Sequence, residues 1–329
     1  MLQKNGYRFL SLSIIILIAT VITPSFAMTV DPLVKETVAF VFLPDQEHPE
    51  KFKPQGTGFF IAINAEDQNH VFGYFVTAKH VFQTEDKKHW LSSVYVRLNK
   101  HDNTSEYFRI DLFPEGNKKN IFTSNDPTVD LAIIWVNLST LDAHKYKIRF
   151  LTEDFLTTKA DYEKFNIKEG TEVFFTGLFI RHVGEQRNYP IVRFGRVALI
   201  PEEKISIEKN IKTDLLLIEA NAYGGNSGSP VFFYFGIDRT PDAIVVGSPL
   251  LKLAGVLSCQ FLDVIPVQFI PVPSQKTETA SSEEAQKTVP IVTPNIGIAG
   301  VVPTYRVQEI LFGDELVKRR KQTLEVKKN

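Results

Sequence analysis

The chain has 329 residues, 43% hydrophobic and 23% charged, with 37 Lys and Arg against 38 Asp and Glu. That length suits one large domain or two small ones with ample core, and the formal net charge of -1 gives no electrostatic basis for nucleic acid as a partner. The single cysteine excludes an intrachain disulfide framework and a multi-cysteine zinc site, while 26 Phe and 18 Pro favour strands and turns over long helices.

At the N-terminus, Lys4 and Arg8 precede the apolar run from Phe9 to Ile22, and Ser25-Phe26-Ala27 places small residues where a signal peptidase cuts. Residues 1–27 therefore read as a signal peptide and the rest as exported, either periplasmic or secreted. An uncleaved anchor is the competing reading. The run is short for the span of about 20 residues that a bilayer requires, and no membrane contact is expected after cleavage.

Short apolar runs then recur between turn residues, at 37–43, 58–63, 71–77, 93–98, 130–136, 172–177, 191–197, 215–219, 230–234, 253–258 and 296–302. Many short strands without helices between them predict a sandwich or barrel. A parallel α/β sheet would need a helix after most strands. Residues 271–295 are rich in Pro, Ser, Thr, Glu, Gln and Lys and read as a flexible insertion. Beyond Pro303, the residues Val307, Ile310, Leu311, Leu316 and Val317 fall at helical spacing and predict a closing helix. The run Lys318-Arg319-Arg320-Lys321 reads as favourable charge at that helix's C-terminus in preference to a nucleic-acid contact.

Three segments carry chemistry. In Tyr223-Gly-Gly-Asn-Ser-Gly-Ser-Pro230, the glycines free the backbone to aim amide hydrogens at one point, and Ser227 is a candidate nucleophile. The N–H groups of Gly225 and Ser227 are the candidate oxyanion hole. An ordinary Gly/Asn/Ser turn is the alternative. In Phe75-Val-Thr-Ala-Lys-His80-Val81, a histidine follows an apolar strand end, where a rigid scaffold can hold a group able to act as base and acid. In Asp126-Pro-Thr-Val-Asp130-Leu-Ala-Ile-Ile134, an acid abuts a buried-looking strand and needs a partner. Asp130 is the candidate to orient a histidine, since the apolar run starts at its neighbour. Asp126, beside Pro127, fits a turn better.

In the order His80, Asp130, Ser227, these segments resemble the chymotrypsin-like (trypsin-like) serine peptidase family of bacterial type. Thr77-Ala-Lys-His80 resembles its Thr-Ala-x-His segment, and Asp130-Leu-Ala its Asp-Leu-Ala segment. Gly225-Asn-Ser-Gly-Ser-Pro230 is similar to the nucleophile loops of glutamyl endopeptidases and Do-like proteases, and Gly56-Thr-Gly-Phe59 to the strand before the histidine. The resemblance implies an all-β fold of two antiparallel six-stranded barrels within residues 28–312, meeting at about 150–170, with a C-terminal helix ending in the basic tail 313–329. It implies a catalytic triad of His80, Asp130 and Ser227, with Ser258 supporting the aspartate. It also implies that the backbone of Ser258, Cys259 and Gln260 pairs with an extended protein or peptide substrate, and that Asn221 sits where primary specificity is set. Departing from the family pattern, activation from an Ile-Val-Gly-Gly start is not expected, nor is a PDZ-like domain after the peptidase segment.

The function expected from this is an exported serine endopeptidase working through an acyl-enzyme, without a metal or other cofactor. The alternative is a catalytically silent peptide-binding module on the same scaffold. An esterase is disfavoured, since residues 225–229 do not form a Gly-x-Ser-x-Gly elbow. Oligomeric state is not set by the sequence.

Overall fold

The computed structural model describes residues 29–329 except 46, 49, 67–69, 115–118, 209–210, 237–248, 263–264, 267–290, 293–294 and 329. The expected signal peptide and, apart from 291–292 and 295, the expected flexible insertion lie outside the described residues. No helix among the described residues is long and apolar enough to cross a membrane.

After a short helix α1 (Pro32–Lys35), seven antiparallel strands make a first sheet. They are β1 (Val38–Pro44), β2 (Phe52–Asn64), β3 (Val71–Thr77), β4 (Ser93–Asn99), β5 (Ser105–Asp111), β6 (Ile121–Thr123) and β7 (Ala132–Val136), in the spatial order β5-β4-β1-β2-β3-β7-β6. Alternating side chains send Val41, Phe60, Phe75, Val96 and Ile134 to one shared core, where the turn residues Val81 and Phe82 join them. The register is continuous across the centre: Phe60 faces Phe75, which faces Ile134.

Turns and a short helix α2 (Lys159–Lys164) lead to β8 (Glu172–Gly177) and β9 (Ile191–Leu199), then to the hairpin β10 (Ile205–Glu208) and β11 (Ile211–Thr213). Next come β12 (Leu216–Glu219), β13 (Pro230–Phe235), β14 (Leu250–Leu262), the small pair β15 (Ile265–Pro266) and β16 (Ile291–Val292), and β17 (Asn295–Pro303). Six of these close into a barrel in the order β12-β17-β14-β13-β8-β9. Val173, Phe175, Val231, Phe233, Leu257 and Val301 fill it. Both faces of β13 are buried, because Phe232 on the outer face stacks on Phe174 at 5.2 Å.

The closed six-stranded barrel is the expected one. The first half differs from the expected closed barrel: it has seven strands, and β5 and β6 form no ladder with each other. Among the described residues, one backbone hydrogen bond, from Asn120 N–H to Leu112 O at 2.9 Å, joins the chain just beyond β5 to the chain just before β6. The reason lies in the strands, since β6 has three residues and β5 presents Glu106, Tyr107, Arg109 and Asp111 to solvent, so closure would bury little apolar surface.

Among the polar contacts that tie the chain's two halves and its C-terminus together, two stand away from the cleft. The loop after β8 reaches across to β4, where the buried Arg97 donates to Asn188 Oδ1 at 2.6 Å, Gly184 O at 2.9 Å and Val183 O at 2.7 Å. The second is C-terminal. In place of one closing helix there are two, α3 (Thr304–Leu311) and α4 (Asp314–Lys328), broken at Phe312 and Gly313.

The basic run therefore sits mid-helix, which overturns its reading as charge at a helix end. Arg320 is 9% exposed and donates to Tyr74 Oη at 2.9 Å and Leu311 O at 2.8 Å. Arg319 lies over the rings of Phe122 and Trp135, at 5.3 and 5.1 Å. Both arginines pin α4 to the outer face of the first sheet. Arg320→Ala leaves a buried hydroxyl and a carbonyl without their donor. It should lower unfolding stability by about 1–3 kcal/mol in urea titration, whereas Lys318→Ala should change it by less than about 0.5 kcal/mol.

Candidate active site

The site is built where β3, the β6–β7 turn and β14 converge. β3 ends at Thr77, and the fully buried Ala78, Val81 and Phe82 anchor a single 3-10 turn, Lys79–Phe82, that projects His80 from the sheet. Asp126 caps the neighbouring turn by accepting from Thr128 N–H at 2.9 Å and Thr128 Oγ1 at 2.7 Å. Lys204, from the barrel half, adds an ion pair to Asp126 at 2.6 Å. Lys79 Nζ donates to Pro127 O at 2.6 Å. These contacts set the path of the chain into Asp130.

Asp130 accepts from His80 N–H at 2.9 Å through Oδ1. Its Oδ2 lies 2.7 Å from His80 Nδ1 and accepts from Ser258 Oγ at 2.7 Å. Burial alone would raise this carboxyl, which is 19% exposed. The His80 charge, together with the three donated hydrogen bonds, outweighs burial and holds it at about 2. An ionised carboxylate only accepts, so Nδ1 carries a proton in either charge state of the ring, and in the neutral tautomer the lone pair falls on Nε2.

Ser227 lies on the turn between β12 and β13. Asn226, 1% exposed, locks that turn: its Oδ1 accepts from Tyr223 N–H at 2.8 Å and its Nδ2 donates to Leu178 O at 2.6 Å. Gly225 has φ +89 and the Asn226 N–H donates to Tyr223 O at 3.0 Å, the pattern of a type II turn. Gly228 has φ +85, and a Cβ there would stand 2.0 Å from Thr57 O and 2.1 Å from Thr77 Oγ1, so only glycine fits. Among the described residues, no hydrogen bond engages the N–H groups of Gly225 or Ser227.

His80, Asp130, Ser227 and Ser258 all line one cleft of about 660 Å³, flanked by Ile207 and Ile211 of the β10–β11 hairpin. No hydrogen bond between Ser227 Oγ and the imidazole occurs among the described residues in this conformation. Cys259 and Gln260 also line the cleft. The Cys259 thiol is pushed up to about 11, chiefly by burial, so it is not a thiolate near neutral pH.

β14 pairs with β13 only as far as Val256, while its other edge continues along β17 through Cys259–Gly300 and Gln260–Ala299. The β13-side edge of Ser258–Gln260 is therefore unladdered among the described residues. Asn221 is exposed and is not among the residues lining the cleft; its Oδ1 lies 3.8 Å from where a Gly297 Cβ would be.

Two residues of the site were not singled out from sequence. Asn295 donates to Ala222 O at 2.5 Å and to Gln260 Oε1 at 3.3 Å, bracing the wall beside Tyr223. Thr57, fully buried, contacts the Ser227 turn directly. The Gly-Thr-Gly pattern around Thr57 was visible, but its partner lies 168 residues away.

No protein-family model matches the sequence, and neither does any curated protein. Solved structures similar in fold include the apo protease domain of MamO from Magnetospirillum magneticum (14% identity, TM-score 0.43, covering 84% of this chain and 97% of that one). Deg5 is similar at 16% identity and TM-score 0.39, covering 68% and 80%. The HtrA-type protease AlgW, solved with a decapeptide, is similar at 15% identity and TM-score 0.43, covering 85% of this chain and 65% of its own. The architecture of an antiparallel sheet followed by a closed barrel stands on this chain's own strand pairing.

Because the folded-state pKa of Asp130 is depressed, its stabilising contribution is complete above the ordinary carboxyl value and is lost as pH falls toward about 2. The unfolding free energy of the wild type minus that of Asp130→Asn should shrink by about 2 kcal/mol as pH falls from about 4 to 2. A difference that stays flat across that window would contradict the assigned hydrogen bonding.

Proposed function

We propose that the chain is an exported serine endopeptidase, with residues 1–27 removed as a signal peptide. The observation that carries the reading is the hydrogen-bonded array Ser258–Asp130–His80 opening onto the same cleft as Ser227 and its two unengaged amides. In this reading an extended peptide adds along the unladdered edge of Ser258–Gln260. Ser227 Oγ attacks the scissile carbonyl while His80 Nε2 takes its proton. The oxyanion is held by the N–H groups of Gly225 and Ser227, and the C–N bond breaks as His80 returns the proton to the leaving amine. Water then repeats the sequence on the acyl-enzyme ester and releases the acid. Asp130 fixes the imidazole tautomer and stabilises its charged form.

A second reading, a silent peptide-binding module, is favoured by one feature: the missing hydrogen bond between Ser227 Oγ and His80. Catalytic hydrogen bonds often form only once substrate is bound. Incubation with a mixture of unstructured peptides, read by mass spectrometry, separates the two. The endopeptidase reading expects new termini at a rate lowered at least about 10⁴-fold by Ser227→Ala, with unchanged circular dichroism. Peptides retained intact by both proteins would establish the binding module.

A further inference from the structure

Thr57 holds the nucleophile turn at two points and ties it to the segment after β8 at a third. Its Oγ1 donates to Gly225 O at 2.8 Å and accepts from Leu178 N–H at 2.9 Å. Its own N–H donates to Ser227 O at 2.9 Å. Its own carbonyl is fixed in turn by Thr77 Oγ1 at 2.6 Å, one strand over on β3, three residues before His80. The side chain is fully buried, so both of its hydroxyl bonds form without competing water.

The geometry has a specific consequence. The Gly225 carbonyl belongs to the peptide before the Asn226–Ser227 peptide, and the Ser227 carbonyl belongs to the peptide after it. Thr57 grips both. The peptide between them carries the Ser227 N–H, so its plane is clamped from either side. The Gly225 N–H is set by the left-handed φ of the same glycine whose carbonyl Thr57 holds. Rotating that glycine out of its +89 conformation would have to break the bond to Thr57 or drag the Leu178 backbone with it.

We infer that Thr57 is a positioning residue, whose hydroxyl keeps the N–H groups of Gly225 and Ser227 aimed at the oxyanion during acyl transfer. The inference rests on the peptidase reading above. It goes beyond it in making the preorganisation of the hole depend on a strand of the first sheet, contributed from 168 residues upstream of Gly225. Thr57 touches no substrate. Its effect should appear in the chemical step and not in ligand affinity, because the donors it aims are used most strongly in the transition state.

The test is the kinetics of inactivation by an alkyl fluorophosphonate, with kinact and KI resolved. In that reaction the Ser227 Oγ–P bond forms, the serine proton passes to His80 and fluoride leaves, with the phosphoryl oxygen sitting in the hole. Thr57→Val keeps the shape and removes the hydroxyl. It should lower kinact by about 10–100-fold with KI changed less than about threefold, while Thr57→Ser should hold kinact within about threefold of wild type. If the valine variant does not fold at the assay temperature, Thr57→Ala carries the same expectation.

Hydroxyl-free variants that are folded and inactivated at the wild-type rate would overturn the role of Thr57 alone. So would a serine variant as slow as the valine one, or a loss confined to KI. A folded wild-type protein that never reacts would overturn the peptidase reading and this inference with it.

Discussion

A carboxylate buried between two sheets must be surrounded by donors, because an unpaired charge at such a place costs several kcal/mol. Asp130 meets that demand with three hydrogen bonds. Two come from His80, through the backbone N–H and the ring, and one from Ser258 on the barrel strand β14. Satisfying one acid thus fixes the orientation of an imidazole and the approach of the two halves together. The depressed pKa of Asp130 expresses the same energetics in another observable.

The rest of the architecture serves that junction. Lys204 reaches from the barrel to the Asp126 turn, Arg97 holds the loop after β8 onto β4, and Arg320 fastens α4 to Tyr74 of β3. Arg97 and Arg320 are buried and Lys204 is exposed, and each places at least one hydrogen bond across a junction between elements distant in sequence. Geometric precision at a site assembled from two sheets needs such crosslinks, since apolar packing alone tolerates sliding. The cleft left between them combines an apolar rim, Ile207 and Ile211 among others, with a bare strand edge at Ser258–Gln260, which suits an extended chain.

Much of this was legible in the sequence, for physical reasons. Strands such as 130–136 and 172–177 announce themselves by apolar runs bounded by turn residues, and both appear, as β7 and β8, within two residues. Asp126 as a turn residue followed from Pro127. His80, Asp130 and Ser227 stood out because their types and flanking residues are scarce in combination. What escaped depends on distant partners. The Thr57–Gly225 bond joins residues 168 apart, and a threonine in a strand carries no local mark of such a duty. Arg319 and Arg320 looked like a charged helix end because their partners, Trp135 and Tyr74, lie nearly 200 residues earlier or more. The first half reads as a barrel in pattern, yet the polar outward residues of β5 and the brevity of β6 leave it open. Position 221 was chosen by its count from Ser227; Asn221 is exposed, beside the cleft-lining Ala222 and Tyr223.

The central claim is that Ser227 is an activated nucleophile, and peptide mapping of a fluorophosphonate adduct tests it most directly. The account expects one modified residue, Ser227, with modification abolished in His80→Ala at unchanged fold. A folded wild-type protein left unmodified, or modified at another residue, would contradict it.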